Sequence, residues 1–268
     1  MERGLAGPRH ADRRSRYHRK GFEWCQCAYG LQRLGALGPS KVVVGVGAGH
    51  ERILYWLTRH CRQVVATDLY AGRFTDSIAA EADPAFLSDP DRFAPFDYDR
   101  TRLRALPADG LALPFRTGSV DVAYSLSSIE HFGGHEAATS AMREIARVLK
   151  PGGIACIATE LILEGGVHAE YFTEVELRTH ILQGHGLVLV EQADLTPPPR
   201  HVIDDPVWLP HVNVTPHLVL AIGALRWTSV VLFFRKPTRA ELLMWGARAT
   251  VRRATRRIAA VVPAGRRR

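Results

Sequence analysis

Glu130 and His131 stand side by side in the segment Ser125-Leu-Ser-Ser-Ile-Glu-His-Phe132. An imidazole titrates near neutral pH, so His131 can take a proton from a hydroxyl nucleophile and is a candidate general base. Glu130 can orient that histidine or contact a substrate. The bland alternatives are a histidine that packs or caps the following loop, and a solvated acid. A second chemical set lies upstream, in Lys41-Val-Val-Val-Gly-Val-Gly-Ala-Gly49. This run reads as a buried strand that breaks into a turn at Gly45, Gly47 and Gly49. A second apolar run, Val64-Val-Ala-Thr, ends in Asp68. Strand, glycine-rich turn, helix, strand and acid form the layout of a nucleoside-binding βαβ unit. The glycines let a ligand approach the backbone without a Cβ in the way. The acid at the tip of the second strand can accept both ribose hydroxyls.

The spacing of the glycines narrows the nucleoside. A dinucleotide site asks for G-x-G-x-x-G/A, and His50 occupies its third position, where close helix–strand packing needs a small residue. The spacing here is G-x-G-x-G. Three further motifs follow in order: Ala108-Asp-Gly-Leu-Ala-Leu-Pro-Phe115, Gly118-Ser-Val-Asp-Val-Ala-Tyr-Ser-Leu126, and Arg143-Glu-Ile-Ala-Arg-Val-Leu-Lys-Pro-Gly-Gly153 leading into Ile154-Ala-Cys-Ile-Ala158. Together they resemble the small-molecule "type 11" group of class I S-adenosylmethionine (SAM) methyltransferases, closely over 41–160 and more loosely over 21–236. The resemblance implies SAM as cofactor and Asp109 as the cap on its adenine amino group. It also implies cofactor contacts from Gly110 and Leu111 beside that acid and from Ser125 at the end of the fourth strand. One position departs from the group's pattern: Val43 stands two residues before Gly45, where an acid is usual.

Methyl transfer from a sulfonium is an in-line displacement, and alignment of acceptor and methyl is most of what an enzyme supplies. The expected reaction is O-methylation of a small molecule, a sugar or a glycolipid precursor. Relatives that methylate amino groups of bases or glutamine carry an Asn/Asp-Pro-Pro-aromatic motif after the fourth strand. The segment after Ser125 has no proline, which counts against a DNA or amide acceptor. The tetrad Glu130-His-Phe-Gly133 also resembles a segment of cyclopropane fatty acid synthases, so a lipid C-methyltransferase is a second reading. A SAM-binding protein without transfer activity is a third, and a nicotinamide-dependent oxidoreductase a fourth. Tyr171-Phe-Thr-Glu-Val-Glu-Leu177 resembles the group's later helix start, with Thr173 as N-cap, Glu176 as its capping-box partner and Tyr171 a candidate lining residue.

Composition bounds these readings. A chain of 268 residues, 46% apolar, is enough for one large α/β domain with appendages. No window approaches the ~20 apolar residues of a membrane span. The Arg-rich start has no apolar run behind it, so no signal peptide is expected. Cys25, Cys27, Cys61 and Cys156 form no C-x-x-C pair, which suits a reducing, cytoplasmic setting and no structural metal. His131 and His135 sit four apart but flank Gly133-Gly134, so a shared helical face is not expected and no metal site is assigned. Charge is uneven: residues 1–20 carry +5 and residues 235–268 carry +10 against +8 for the whole, which leaves −7 between them. A nucleic-acid enzyme more often carries its basic surface around the site, so no nucleic acid partner is expected.

These motifs need a scaffold. Residues 1–20 read as a basic, disordered arm. Residues 21–236 read as the methyltransferase domain, a doubly wound, mostly parallel sheet of Rossmann type. A helix over Gly21–Leu37 precedes strands at about 41–46, 63–67, 102–106, 120–126 and 153–158. Helices are expected near 50–60, 136–149 and 173–183. Leu187–Glu191 and Thr228–Phe234 complete seven strands, the last antiparallel by resemblance to the family. The stretches 70–101 and 193–227 break the pattern, and either border the substrate entrance or cover the sheet edge. Residues 237–268 read as a basic amphipathic tail. Met244, Ala247, Val251, Ala254 and Ile258 share one helical face, with Arg248, Arg252 and Arg256 on another. Such a helix is either a peripheral membrane or partner contact, reaching a lipid-linked acceptor, or a solvated end.

Overall fold

The computed structural model describes residues 19–70, 82–208 and 217–244. Its centre is a nine-stranded sheet in the order β3-β2-β1-β4-β5-β9-β8-β7, with β6 on the other half of β9. The strands are β1 (Val42–Val46), β2 (Gln63–Asp68), β3 (Leu103–Pro107), β4 (Val120–Leu126), β5 (Leu149–Glu164), β6 (Val188–Leu189), β7 (Val207–Trp208), β8 (Val219–Ile222) and β9 (Leu225–Arg235). β1 to β5 pair in parallel, and β9 runs antiparallel to β5, β6 and β8. The doubly wound, mostly parallel sheet with an antiparallel last strand is therefore present. Its first strand is valine-rich because both faces are covered, as in parallel sheets generally.

Besides the start of the tail, the helices described are α1 (Arg19–Arg33), α2 (Arg52–Leu57), α3 (His135–Val148), α4 (Glu174–His180) and α5 (Arg200–Ile203). α3 buries Ala138, Ala141, Met142 and Ile145, an i, i+3, i+4, i+7 stripe that points a 3.6-residue period at the sheet. α1 buries Cys27 and Leu31 on the other face, with Val43, Leu54, Tyr124 and Cys156. α4 starts with the expected capping box: Thr173 accepts from the Glu176 amide, and the Glu176 carboxylate accepts from the Thr173 amide. α1 begins at Arg19, two residues before the expected start, so Arg19 and Lys20 belong to a helix rather than to the arm.

Two strands were not anticipated. β7 and β8 arise in the irregular stretch 193–227 and extend the sheet beyond β9, with β7 parallel to β8. They are two and four residues long, too short for period-two alternation to register. The stretch before β3 winds into three short 3-10 turns and packs its aromatics on α2: Phe86 is fully buried, and Tyr98 meets Tyr55 edge-on at 4.8 Å. Of the tail, a helix over 239–244 is described, capped by Thr238 and Glu241. Val251, Ala254 and the arginines from 248 onward lie outside the described residues. Among the described residues no helix is long and apolar enough to cross a membrane.

Candidate functional site

At the carboxyl edge of the parallel strands, three loops are stitched together by backbone bonds. After β1 the chain turns through Gly47 (φ +66°) and Gly49 (φ +43°), left-handed conformations that glycine adopts without strain. The Gly49 amide donates to Asp68 Oδ2 at 3.1 Å, and the Leu69 amide donates to Asp68 Oδ1 at 2.7 Å. The Tyr70 hydroxyl donates to the Gly49 carbonyl at 2.8 Å, fixing the tip of β2 against the turn. The Ala108 amide donates to the Asp68 carbonyl at 2.8 Å and brings in the loop after β3. There Asp109 Oδ1 accepts from the Leu111 amide at 2.8 Å, and Gly110 lies between them. The structure thus gathers Gly45, Gly47, Gly49, Asp68, Asp109, Gly110 and Leu111 into one loop cluster.

The glycines have physical reasons. A Cβ on Gly45 would lie 2.7 Å from the Tyr124 ring, and one on Gly47 would lie 2.7 Å from Ser128 Cβ. One on Gly110 would lie 2.5 Å from Phe132 Cε2. Two acids beside glycine loops backed by Tyr124, Ser128 and Phe132 suit a nucleoside, so these residues fit the adenosyl part of SAM. Ser125 sits inside β4, fully buried and paired with Ile157. The serine of this segment that touches the turn is Ser128, whose hydroxyl donates to the Gly47 carbonyl at 2.7 Å.

Beyond β4 the chain passes through Ser127 at φ +46°, a strained value for a side chain, into a 3-10 turn at Ile129–Phe132. His131 Nδ1 lies 2.8 Å from Glu170 Oε2, with both side chains more than a third exposed. A carboxylate only accepts, so Nδ1 carries the hydrogen and Nε2 keeps its lone pair for a proton. Burial alone would lower the imidazole, but the Glu170 bond and the charges of Glu130, Glu170 and Glu160 outweigh it and leave the pKa raised. The same bond holds Glu170 below its ordinary value.

The acid that bonds the ring is therefore Glu170, and Glu130 does not. Glu130 is fully buried and accepts from the Thr159 hydroxyl at 3.0 Å, so it is not a solvated acid either. Burial pushes its carboxyl up to about 7, against the pull of His131 and with help from Glu160 and Glu23. Under it lies a buried ionic cluster. Arg19 bonds Glu160 and Glu23, and Ser127 and Ser229 donate to Glu23 at 2.8 and 2.5 Å. Lys20 donates to the Leu126 carbonyl at 2.5 Å and to Glu51 at 3.2 Å, which sets a cation between β4's end and the helix after the glycine turn. Sequence reasoning missed Glu170, Lys20, Glu51 and Glu160, and no local motif marks them. Tyr171 stacks on His168 at 4.1 Å and meets Trp227 at 4.9 Å, an aromatic wall beside Glu170. Among the described residues no cluster of three or more His, Cys, Asp or Glu could hold a metal.

Known proteins resemble this chain in part. A family model described as a methyltransferase domain matches residues 44–157. The tRNA (carboxymethyluridine(34)-5-O)-methyltransferase ALKBH8 of Mus musculus is 45% identical over 56 residues, which is 21% of this chain and 8% of that protein. The chain thus spans a small part of the curated relatives it matches. Geranyl diphosphate C-methyltransferase from Streptomyces coelicolor A3(2), solved with S-adenosyl-L-homocysteine (SAH), superposes with a TM-score of 0.52 at 18% identity, over 80% of this chain and 79% of that one. The cyclase SpnF superposes with a TM-score of 0.53 at 15% identity, over 80% and 81%. Since a cyclase shares the architecture, the fold alone does not define the chemistry. The match of residues 44–157 to a methyltransferase domain is what points to SAM-dependent methyl transfer.

Proposed function

We propose that the enzyme methylates an oxygen of a small-molecule, sugar or lipid-linked acceptor, with His131 as general base. The observation that carries this reading is the His131–Glu170 pair, placed beside the nucleoside loops with Nε2 left to accept a proton. SAM, when bound, supplies an electrophilic methyl group. Asp68 and Asp109 would hold its ribose and adenine. Lys20, at the end of β4, would face its carboxylate, on the side where Val43 replaces an acid. His131 takes the hydroxyl proton, Glu170 keeps the imidazole in the productive tautomer, and the stacked Tyr171 and His168, backed by the buried Trp227, border the acceptor. The ALKBH8 relatives are named for transfer to an oxygen on tRNA. Here the −7 balance between the basic ends favours a small acceptor over a polyanion.

A lipid C-methyltransferase is the second reading, favoured by one observation. Glu130, a buried carboxyl lifted to about 7, is suited to accept the proton that an alkene acceptor releases after it gains a methyl. Incubating the enzyme with labelled SAM and fractionated cell extract, then locating the methyl in the product, separates the two. For an oxygen acceptor, His131→Ala should lower turnover by roughly 10²–10⁴-fold with SAM affinity little changed. Unchanged turnover would assign His131 to packing, and a methyl found on carbon would favour the second reading.

A further inference from the structure

Phe132 was not among the expected cofactor contacts, yet its ring touches both loops that carry the anchors. A Cβ on Gly47 would meet Phe132 Cζ at 3.0 Å, and one on Gly110 would meet Cε2 at 2.5 Å. The ring therefore lies against the backbone of the glycine turn and of the Asp109 loop at once. A nucleoside held by Asp68 and Asp109 has this ring as a wall. Leu69, next to Asp68 and 53% exposed, is an apolar side chain at the tip of β2.

The same ring is tied to the base. Phe132 and His131 are consecutive residues of one 3-10 turn. That turn is pinned at its start: Ile129 and Glu130 are fully buried, the Ser127 amide donates to the Ala158 carbonyl, and Ser128 holds the Gly47 carbonyl. At its end stand Gly133 (φ +122°) and Gly134 (φ +89°), where no side chain fixes the backbone. A displacement of Phe132 is thus carried to His131 and absorbed at the two glycines. Glu170 belongs to a different segment, 39 residues away in sequence, so the displacement changes the 2.8 Å contact between imidazole and carboxylate.

We propose that Phe132 is a positioning residue that couples occupancy of the nucleoside pocket to the placement of His131. Cofactor contact with the ring sets the turn, and the turn sets the distance from His131 to Glu170. The base is then in register for an acceptor only when the cofactor is in place, which makes binding ordered, cofactor first. The proposal rests on the assignment of the nucleoside loops to SAM, and not on the identity of the acceptor.

The test uses SAH and the full-length protein, with no acceptor. Calorimetry gives SAH affinity, and NMR titration of the His131 ring protons, assigned by their loss in His131→Gln, gives its protonation midpoint. In the parent, saturating SAH should move that midpoint by several tenths of a pH unit. Phe132→Ala should bind SAH about tenfold more weakly, since a base stacked on an aromatic ring is stabilised by ~1–3 kcal/mol. In that variant saturating SAH should leave the midpoint where it stands in the free protein. Phe132→Tyr, which keeps the ring, should preserve both responses. Parent-like SAH affinity in Phe132→Ala, or a His131 midpoint that SAH does not move in the parent, overturns the coupling. If Phe132→Ala does not fold, Phe132→Leu and the parent titration decide the matter in the same way. Binding of SAH with no coupling would sink this proposal and leave the O-transfer reading intact.

Discussion

Replacing Gly47 by alanine tests the glycine turn against an internal control. Gly47 and Gly118 share a φ of +66°. That conformation costs an alanine about 1–2 kcal/mol at either site. At Gly118 an added Cβ meets nothing within 4 Å, so the conformational cost stands alone. At Gly47 the Cβ would lie 2.7 Å from Ser128 Cβ and 3.0 Å from Phe132 Cζ, closer than packed atoms tolerate. Forcing such a contact costs a further ~1–3 kcal/mol. Gly47→Ala should therefore be destabilised by about 2–5 kcal/mol and Gly118→Ala by about 1–2 kcal/mol. With each kcal/mol moving Tm by ~2–4 °C in a domain of this size, the first should melt on the order of 10 °C below the parent and the second a few degrees below. Thermal unfolding without ligand gives both values, and titration with SAM then gives affinity. Gly47→Ala should also lose SAM affinity, because Ser128 and Phe132 must shift into the pocket, while Gly118→Ala binds like the parent. Equal melting temperatures for the two variants, or parent-like SAM affinity in Gly47→Ala, would refute the reasoning.

Three other outcomes are expected. Asp68→Ala and Asp109→Ala should each weaken SAM binding by about one to two decades, as expected for a lost charge-assisted hydrogen bond of ~1.5–3 kcal/mol; calorimetric affinity within a factor of two of the parent would remove that residue from the site. His131 works as a base when neutral and its pKa is raised, so the pH profile of kcat/KM should climb through a midpoint above the ordinary imidazole value of 6.5. Glu170→Gln should move that midpoint down, and an unmoved profile would detach Glu170 from the base. Glu130 is lifted from 4.5 to about 7, so the folded protein holds a proton there that the unfolded chain releases, and stability falls as pH rises through that window. Glu130→Gln should flatten this fall in denaturant titrations, whereas parallel curves would show that the carboxyl titrates normally.

Much of this architecture was legible because its signals are local. β1, the glycine turn, β2 and Asp68 follow one another within 27 residues, and β4 was bounded correctly at Val120 and Leu126 by its apolar run. Thr173 and Glu176, read as a capping box in a segment that resembles the family's later helix start, do open α4. What escaped notice joins residues far apart in sequence. Lys20 reaches the carbonyl of Leu126 across 106 positions, and Glu170 reaches His131 across 39. No periodicity encodes such contacts. Glu130 misled for the opposite reason: adjacency to His131 suggested a pair, but the tight turn sends the two side chains different ways, one to Thr159 and the other to Glu170. The strands β7 and β8 hid in a proline-rich stretch, and these two short strands extend the sheet edge beyond β9.

The most direct test of the central claim is a crystal structure of the protein with SAH. The ribose should lie on Asp68, the adenine amino group at Asp109 with the ring against Phe132 and Gly110, and the carboxylate toward Lys20, leaving the sulfur on the side of His131. Density for SAH away from the Asp68–Asp109 loops, or a sulfur turned away from His131, would contradict it.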